Sequence, residues 1–267
     1  MGNFGEIDWE ATQWMLKLTA IDKRAIARLN ADLIPIEAFS TGLIDLLMES
    51  DSMPGGLKPI LKMLHGEQQA HYDVLWKYDG VFKKVTGVNS PGPSNCIRNI
   101  LSYAGMYIEE LDAIMAVWML LVSHRLATLY ASLPLQRLGN IEPIFSSILQ
   151  HSAVDEPLLY EIGYNYFKAR KKKLTREQIN RLGLIQKKFL EGCIQQLSLD
   201  DEFLSLQHAV RHLGIDLNME FSVWLAHVDR EPPLDVFVPD EDKIKTALKE
   251  IGASIKTLQI DTKLFYS

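Results

Sequence analysis

Glu67 and His71 are the pair of residues whose types and spacing best suit chemistry in this chain. They lie four positions apart within residues 57–80, LKPILKMLHGEQQAHYDVLWKYDG, where apolar residues recur at the spacing of a helix. Because four residues make about one helical turn, the carboxylate and the imidazole would share one helix face. Such a pair can bind a metal ion or move a proton, and it also occurs as an ordinary exposed or half-buried helical pair.

A long helix before this stretch carries a further carboxylate, Glu37. We expect Asp22 to be the N-cap of that helix and Pro35 to kink it or to mark its start. Glu37 should lie at the edge of the apolar stripe with its carboxylate in water. In the following helix, Gly66 predicts that another helix crosses closely at that point, because glycine otherwise weakens a helix interior.

The other segments also show helical spacing, so the chain is predicted to be all-α. A loop rich in proline and glycine, residues 87–94, should lead into a long apolar helix over 95–133, and shorter helices should follow from about residue 141. The expected architecture is a long-helix bundle followed by shorter stacked helices. Residues 1–135 would form the bundle half, 136–230 a short-helix half in the same or a second domain, and 231–267 a linker and C-terminal helix.

Composition excludes several classes of protein. The chain has 267 residues, 47% of them hydrophobic, which is enough for a well-buried core. Its two cysteines, Cys96 and Cys193, cannot form a disulfide framework, so we expect a reducing, cytoplasmic location. No segment is long and apolar enough for a signal peptide or a transmembrane helix. A net charge of −6 argues against nucleic acid as a partner.

Residues 22–135 resemble the ferritin-like helical-bundle proteins. The resemblance rests on two long helices, a proline-rich crossover and a third long helix, and on the segments LNADLIPIEAF and HGEQQAHYDVL. The chain departs from the Glu-x-x-His spacing of the family, because Gln68 stands three positions before His71. The resemblance implies a di-metal centre of iron or manganese. It assigns the ligands to Glu37, Glu67, His71 and either Glu109 or Glu110.

Two other sets of residues have the types that metal sites use. His151 and Glu156, where the fourth ligand helix of the family would lie, are on either side of an expected helix break before Pro157. His208 and His212 stand four apart and could bind zinc if the fold supplied further ligands. His212 also suits the end of a helix, where a partly charged imidazole is stabilised by the helix dipole.

The sequence contains a basic run, which would dock an acidic partner or simply end a helix in water. Its charged members are Lys168, Arg170, Lys171, Lys172 and Lys173. No complete catalytic motif is present. We therefore predict a non-catalytic interaction or adaptor protein that binds a protein partner and has no cofactor, with self-association left open. The first alternative is a ferritin-like di-metal oxidoreductase, and the second is a carrier of an apolar ligand near Trp118 and Met119.

Overall fold

The computed structural model describes residues 4–51, 55–94, 97–98, 101–102, 139, 141–152 and 175–177. Over these residues the regular structure is helical and contains no strand, which confirms the all-α prediction and fits the long-helix bundle. A short turn of 3-10 helix, Phe4–Glu6, precedes α1, Gln13–Lys17. Two long helices follow, α2 over Ala20–Glu49 and α3 over Lys58–Thr86. None of the described helices is both long and apolar enough to cross a membrane.

Helix α2 begins one turn earlier than predicted. Its N-cap is Thr19, whose hydroxyl accepts a hydrogen bond from the Asp22 amide at 3.2 Å, while the Asp22 carboxylate accepts one from the Thr19 amide at 3.0 Å. Asp22 is therefore the reciprocal partner in a capping box, and its prediction as the N-cap was wrong. The helix continues through Pro35, so this proline does not mark its start.

Helix α3 ends where the sequence predicts. Gly87 adopts a φ of 73°, the left-handed conformation that glycine accepts without steric cost, and its amide donates to the Lys83 carbonyl at 2.9 Å. The prediction at Gly66 was wrong. This residue is exposed, and a Cβ built on it would meet no atom within 4 Å. Its position on the outer face explains why none of the described helices crosses there.

Helices α2 and α3 pack against each other in antiparallel directions. Asp45 near the end of α2 pairs with His65 near the start of α3 at 3.2 Å. Toward the opposite ends, the Asn30 side-chain amide donates to the Leu75 carbonyl at 3.4 Å. This antiparallel pairing determines which core-facing residues of α2 lie opposite which core-facing residues of α3.

The crossover after α3 folds back along the middle of α2. Arg28 donates to the Gly92 carbonyl at 2.9 Å, and the buried Asp32 carboxylate accepts hydrogen bonds from both the amide and the hydroxyl of Ser94. Ser94 in turn accepts from the Ile97 amide through its hydroxyl, as an N-cap does. The loop therefore delivers the next helical segment to a defined place beside α2.

Residues 143–152 form a further helix, in agreement with the element predicted over 141–151. The domain boundaries predicted near residues 135 and 230, and both cysteines, lie outside the described residues. The division into domains therefore stays a prediction.

Candidate metal centre

Glu37 lies inside the bundle core. Its side chain approaches His71 on α3, and the residue is 3% exposed. Its predicted place at the wet edge of the apolar stripe was therefore wrong. Within the described part of the chain, the Oε2 atom of Glu37 has no hydrogen-bond donor. A buried carboxylate oxygen without a donor is costly, so its position requires a cation, a proton or a donor from elsewhere.

Gln68 and His71 occupy the core face of α3, and both are 0% exposed. They belong to a series of buried residues in which each member follows the previous one by three or four positions in turn. The series is Leu61, Leu64, Gln68, His71, Leu75, Tyr78 and Phe82. Glu67, the partner that the sequence pattern favours for His71, lies one position off this series and is only half-buried. The structure therefore brings Gln68, and not Glu67, into the core with His71.

The three side chains form a polar group enclosed by apolar packing. His71 Nδ1 lies 3.7 Å from Glu37 Oε2, which is an ion-pair distance but too long for a hydrogen bond. The amide of Gln68 makes no hydrogen bond, through either its nitrogen or its oxygen, to any residue that the structure describes. Leaving one such buried group unsatisfied costs about 1–3 kcal/mol, so the arrangement suits a bound polar species more than a purely structural role.

An aromatic side chain from the amino-terminal segment closes this part of the core. The ring of Phe4 contacts the His71 ring edge-to-face at a centroid distance of 5.5 Å. The same ring contacts His151, on the 143–152 helix, at 5.9 Å. The position three before His151 is Ile148, which is fully buried. Two helices thus each present a histidine to the same phenylalanine, and neither has a glutamate three positions earlier.

A second buried polar group lies two turns along α3 from His71. Glu142 is the N-cap of the 143–152 helix, since its carboxylate accepts from the Phe145 amide and Pro143 follows it. The same carboxylate oxygen accepts from the Tyr78 hydroxyl at 3.2 Å, and the Tyr78 and Phe145 rings stack at 5.0 Å. Tyr78 thus meets the start of this helix, whereas His71 approaches its end through Phe4, so the helix runs antiparallel to α3.

Burial is the largest influence on the pKa values of Glu142 and Tyr78. It raises the pKa of Glu142 above the ordinary value of 4.5, against the lowering effect of hydrogen bonds from Phe145 and Tyr78. Burial and then the neighbouring Glu142 carboxylate raise the pKa of Tyr78 well above its ordinary value. Tyr78 is therefore a neutral hydrogen-bond donor throughout the physiological range of pH.

The raised pKa of Glu142 predicts a specific pH dependence of stability. Because the folded chain holds this proton more tightly than the unfolded chain, protonation of Glu142 adds to the free energy of unfolding, and this added stability is complete below pH 4.5. It is lost as the pH rises through the raised pKa of the folded state. Glu142→Gln, which keeps an acceptor oxygen but does not titrate, should lack this loss. Urea unfolding of both proteins between about pH 4 and about pH 8 measures the difference, and parallel profiles would contradict the assignment.

The other predicted sites lie outside the described residues: Glu109 and Glu110, the basic run from Lys168 to Lys173, His208 and His212, and Trp118 with Met119. Among the residues that are described, no group of three or more His, Cys, Asp or Glu side chains could by itself hold a metal ion. The roles assigned to these residues, and the proposed protein partner, self-association and cytoplasmic location, stay predictions.

Comparison with solved structures finds a similar architecture in "Protein 19 with aldehyde deformylating oxidase activity" from Synechococcus. The TM-score is 0.61 with 12% sequence identity, over 93% of this chain and 97% of that chain. No protein-family model and no curated protein matches the sequence. At this identity the likeness shows a shared helical fold. Nothing in the comparisons supports the predicted adaptor role.

Proposed function

We propose that this protein is a ferritin-like, metal-dependent oxidoreductase that binds iron or manganese between α2 and α3. One observation carries the proposal: the Oε2 atom of Glu37 is buried 3.7 Å from Nδ1 of His71 on the facing helix. A carboxylate and an imidazole from facing helices are the donor types with which helical bundles of this architecture hold such ions. The oxidase activity of the structural neighbour is consistent with this class of chemistry.

The residues present fit a metal ion of this kind. The Glu37 carboxylate supplies a charged oxygen, the His71 imidazole supplies nitrogen, and the carbonyl oxygen of Gln68 is a weaker neutral donor on the same face as His71. Glu109 or Glu110, which lie outside the described residues, would add a carboxylate from the third long helix. A bound ion would also give the buried Glu37 Oε2 atom a direct contact, where the described residues supply no hydrogen-bond donor.

A bound iron or manganese ion would supply one-electron redox chemistry, and the chain supplies its environment. Glu37 would offset part of the positive charge, and His71, whose ring contacts Phe4 edge-to-face, would offer a ring nitrogen. The amide nitrogen of Gln68 is available among the described residues to donate a hydrogen bond to a substrate oxygen. Leu64 and Leu75, which are buried one turn before Gln68 and one turn after His71, would help to exclude water from the centre.

Metal binding by variants of the two facing residues tests the proposal. Glu37→Gln and His71→Ala should each weaken Mn(II) binding by about tenfold or more, since each removes a direct ligand. Isothermal titration of the full-length chain with Mn(II), and with Fe(II) under anaerobic conditions, measures the affinities.

Two matched controls are available on α3. Glu67→Gln removes a half-buried carboxylate next to Gln68, and His65→Ala removes a histidine that pairs with Asp45 near the surface. Both variants should bind metal as the natural protein does. If the natural protein takes up less than about a tenth of an equivalent of either ion, a metal-dependent function is wrong.

A further inference from the structure

We infer that the centre binds a single metal ion on the α2–α3 side of the core, and that the His151 side is an apolar cap and not a second metal half-site. This inference rests on the proposed function, because it specifies how many ions that site holds. Its basis is the set of side chains at the positions where a two-metal bundle requires carboxylates.

Neither of the two Glu-x-x-His motifs of a two-metal bundle has its glutamate in this chain. A two-metal centre takes one such motif from each of two helices and one further glutamate from each of the other two. In this chain the corresponding positions hold Gln68 before His71 and Ile148 before His151. Both residues are fully buried, so each occupies the place of the missing ligand. Isoleucine has no donor atom at all, so position 148 supplies no companion ligand to His151.

The two histidines also differ in their surroundings. His71 is fully buried and has the Glu37 carboxylate 3.7 Å away on the facing helix. His151 is half-exposed at the end of the described helical residues, and its recorded contact within the described part of the chain is with the Phe4 ring. Phe4 thereby places an apolar ring against both imidazoles. Among the residues that the structure describes, only the His71 side combines burial with a nearby carboxylate oxygen.

The metal stoichiometry and the magnetic state of bound Mn(II) test this inference. The full-length chain is loaded with Mn(II), freed of excess ion, and measured by mass spectrometry of the metal and by electron paramagnetic resonance. We expect one equivalent with the hyperfine pattern of an isolated Mn(II). This equivalent should be lost in Glu37→Gln and retained in His151→Ala. Thermal unfolding without metal shows that each variant is folded, and His71→Gln replaces Glu37→Gln if the latter is not.

Each other outcome has a defined meaning. Two equivalents with the signal of a coupled pair, the second lost in His151→Ala, would overturn the single-ion inference and leave the proposed function standing. One equivalent that survives Glu37→Gln and His71→Gln but is lost in His151→Ala would overturn the placement of the ion. Binding of no metal by the natural protein would refute the proposed function, and the inference with it.

Discussion

Gln68→Glu should tighten Mn(II) binding by about 100-fold, because it converts a neutral amide oxygen into a charged ligand at the core position one turn before His71. The substitution preserves the size and shape of the side chain, so packing against the apolar neighbours is retained. Without metal, however, it places a second carboxylate in the buried group that contains Glu37. The metal-free variant should therefore unfold at a lower temperature than the natural protein, and Mn(II) should raise its unfolding temperature by more.

Gln69→Glu is a closely matched control for this prediction. It makes the same chemical change one residue later, where Gln69 is half-exposed and donates to Asp73 at 2.8 Å on the outer face of α3. Its Mn(II) affinity should equal that of the natural protein. Competition with a fluorescent chelator measures all three affinities. Equal values for Gln68→Glu and Gln69→Glu would show that residue 68 does not contact the ion.

Glu142→Ala should destabilise the fold by about 2–4 kcal/mol, the combined cost of a lost helix cap and an unsatisfied buried hydroxyl. The Glu142 carboxylate accepts from the Phe145 amide at the start of the 143–152 helix and from the Tyr78 hydroxyl of α3. Its removal leaves both donors without this acceptor inside the core. Because the same carboxylate serves two helices, the loss should affect their packing as well as the local helix start.

Chemical denaturation at neutral pH measures this effect, with Tyr78→Phe and Glu142→Gln as graded controls. Tyr78→Phe removes one hydrogen bond and preserves the ring stacking on Phe145, so it should cost only about 1 kcal/mol. Glu142→Gln preserves an acceptor oxygen for both donors, so it should lower the free energy of unfolding by much less than Glu142→Ala does. A Glu142→Ala variant as stable as Glu142→Gln would mean that the carboxylate does not link the two helices.

Local sequence signals were sufficient for the helices themselves. The glycines and prolines of residues 87–94 predicted the loop that follows α3, because a helix stop and a left-handed C-cap at Gly87 depend only on neighbouring residues. Helix α2 starts one turn before the predicted N-cap Asp22, because Thr19 is the cap and Asp22 is its partner at the third helical position. That signal was present in the sequence, because threonine followed by an acid three positions later is a capping box.

The residues on the core face of α3 can also be identified from the spacing of its apolar residues. Gln68, His71, Leu75 and Tyr78 continue the alternation of three and four that begins at Leu61, and this series excludes Glu67. The pair Glu67 and His71 is favoured by its residue types, which suit metal binding or proton transfer. Spacing relative to the apolar series is the better guide to which polar residue is buried, because a helix directs only one stripe toward its partner.

The sequence by itself determined that the chain is helical, where its described helices lie and which residue types are available to a metal ion. Only the tertiary structure decided that Glu37 is buried and faces His71, that Gln68 takes the place of Glu67, and that Phe4 contacts both His71 and His151. Helix formation depends on contacts within a few residues, which a linear pattern records. The candidate centre depends on the register between antiparallel helices and on a distant amino-terminal segment, and no local pattern specifies either of them.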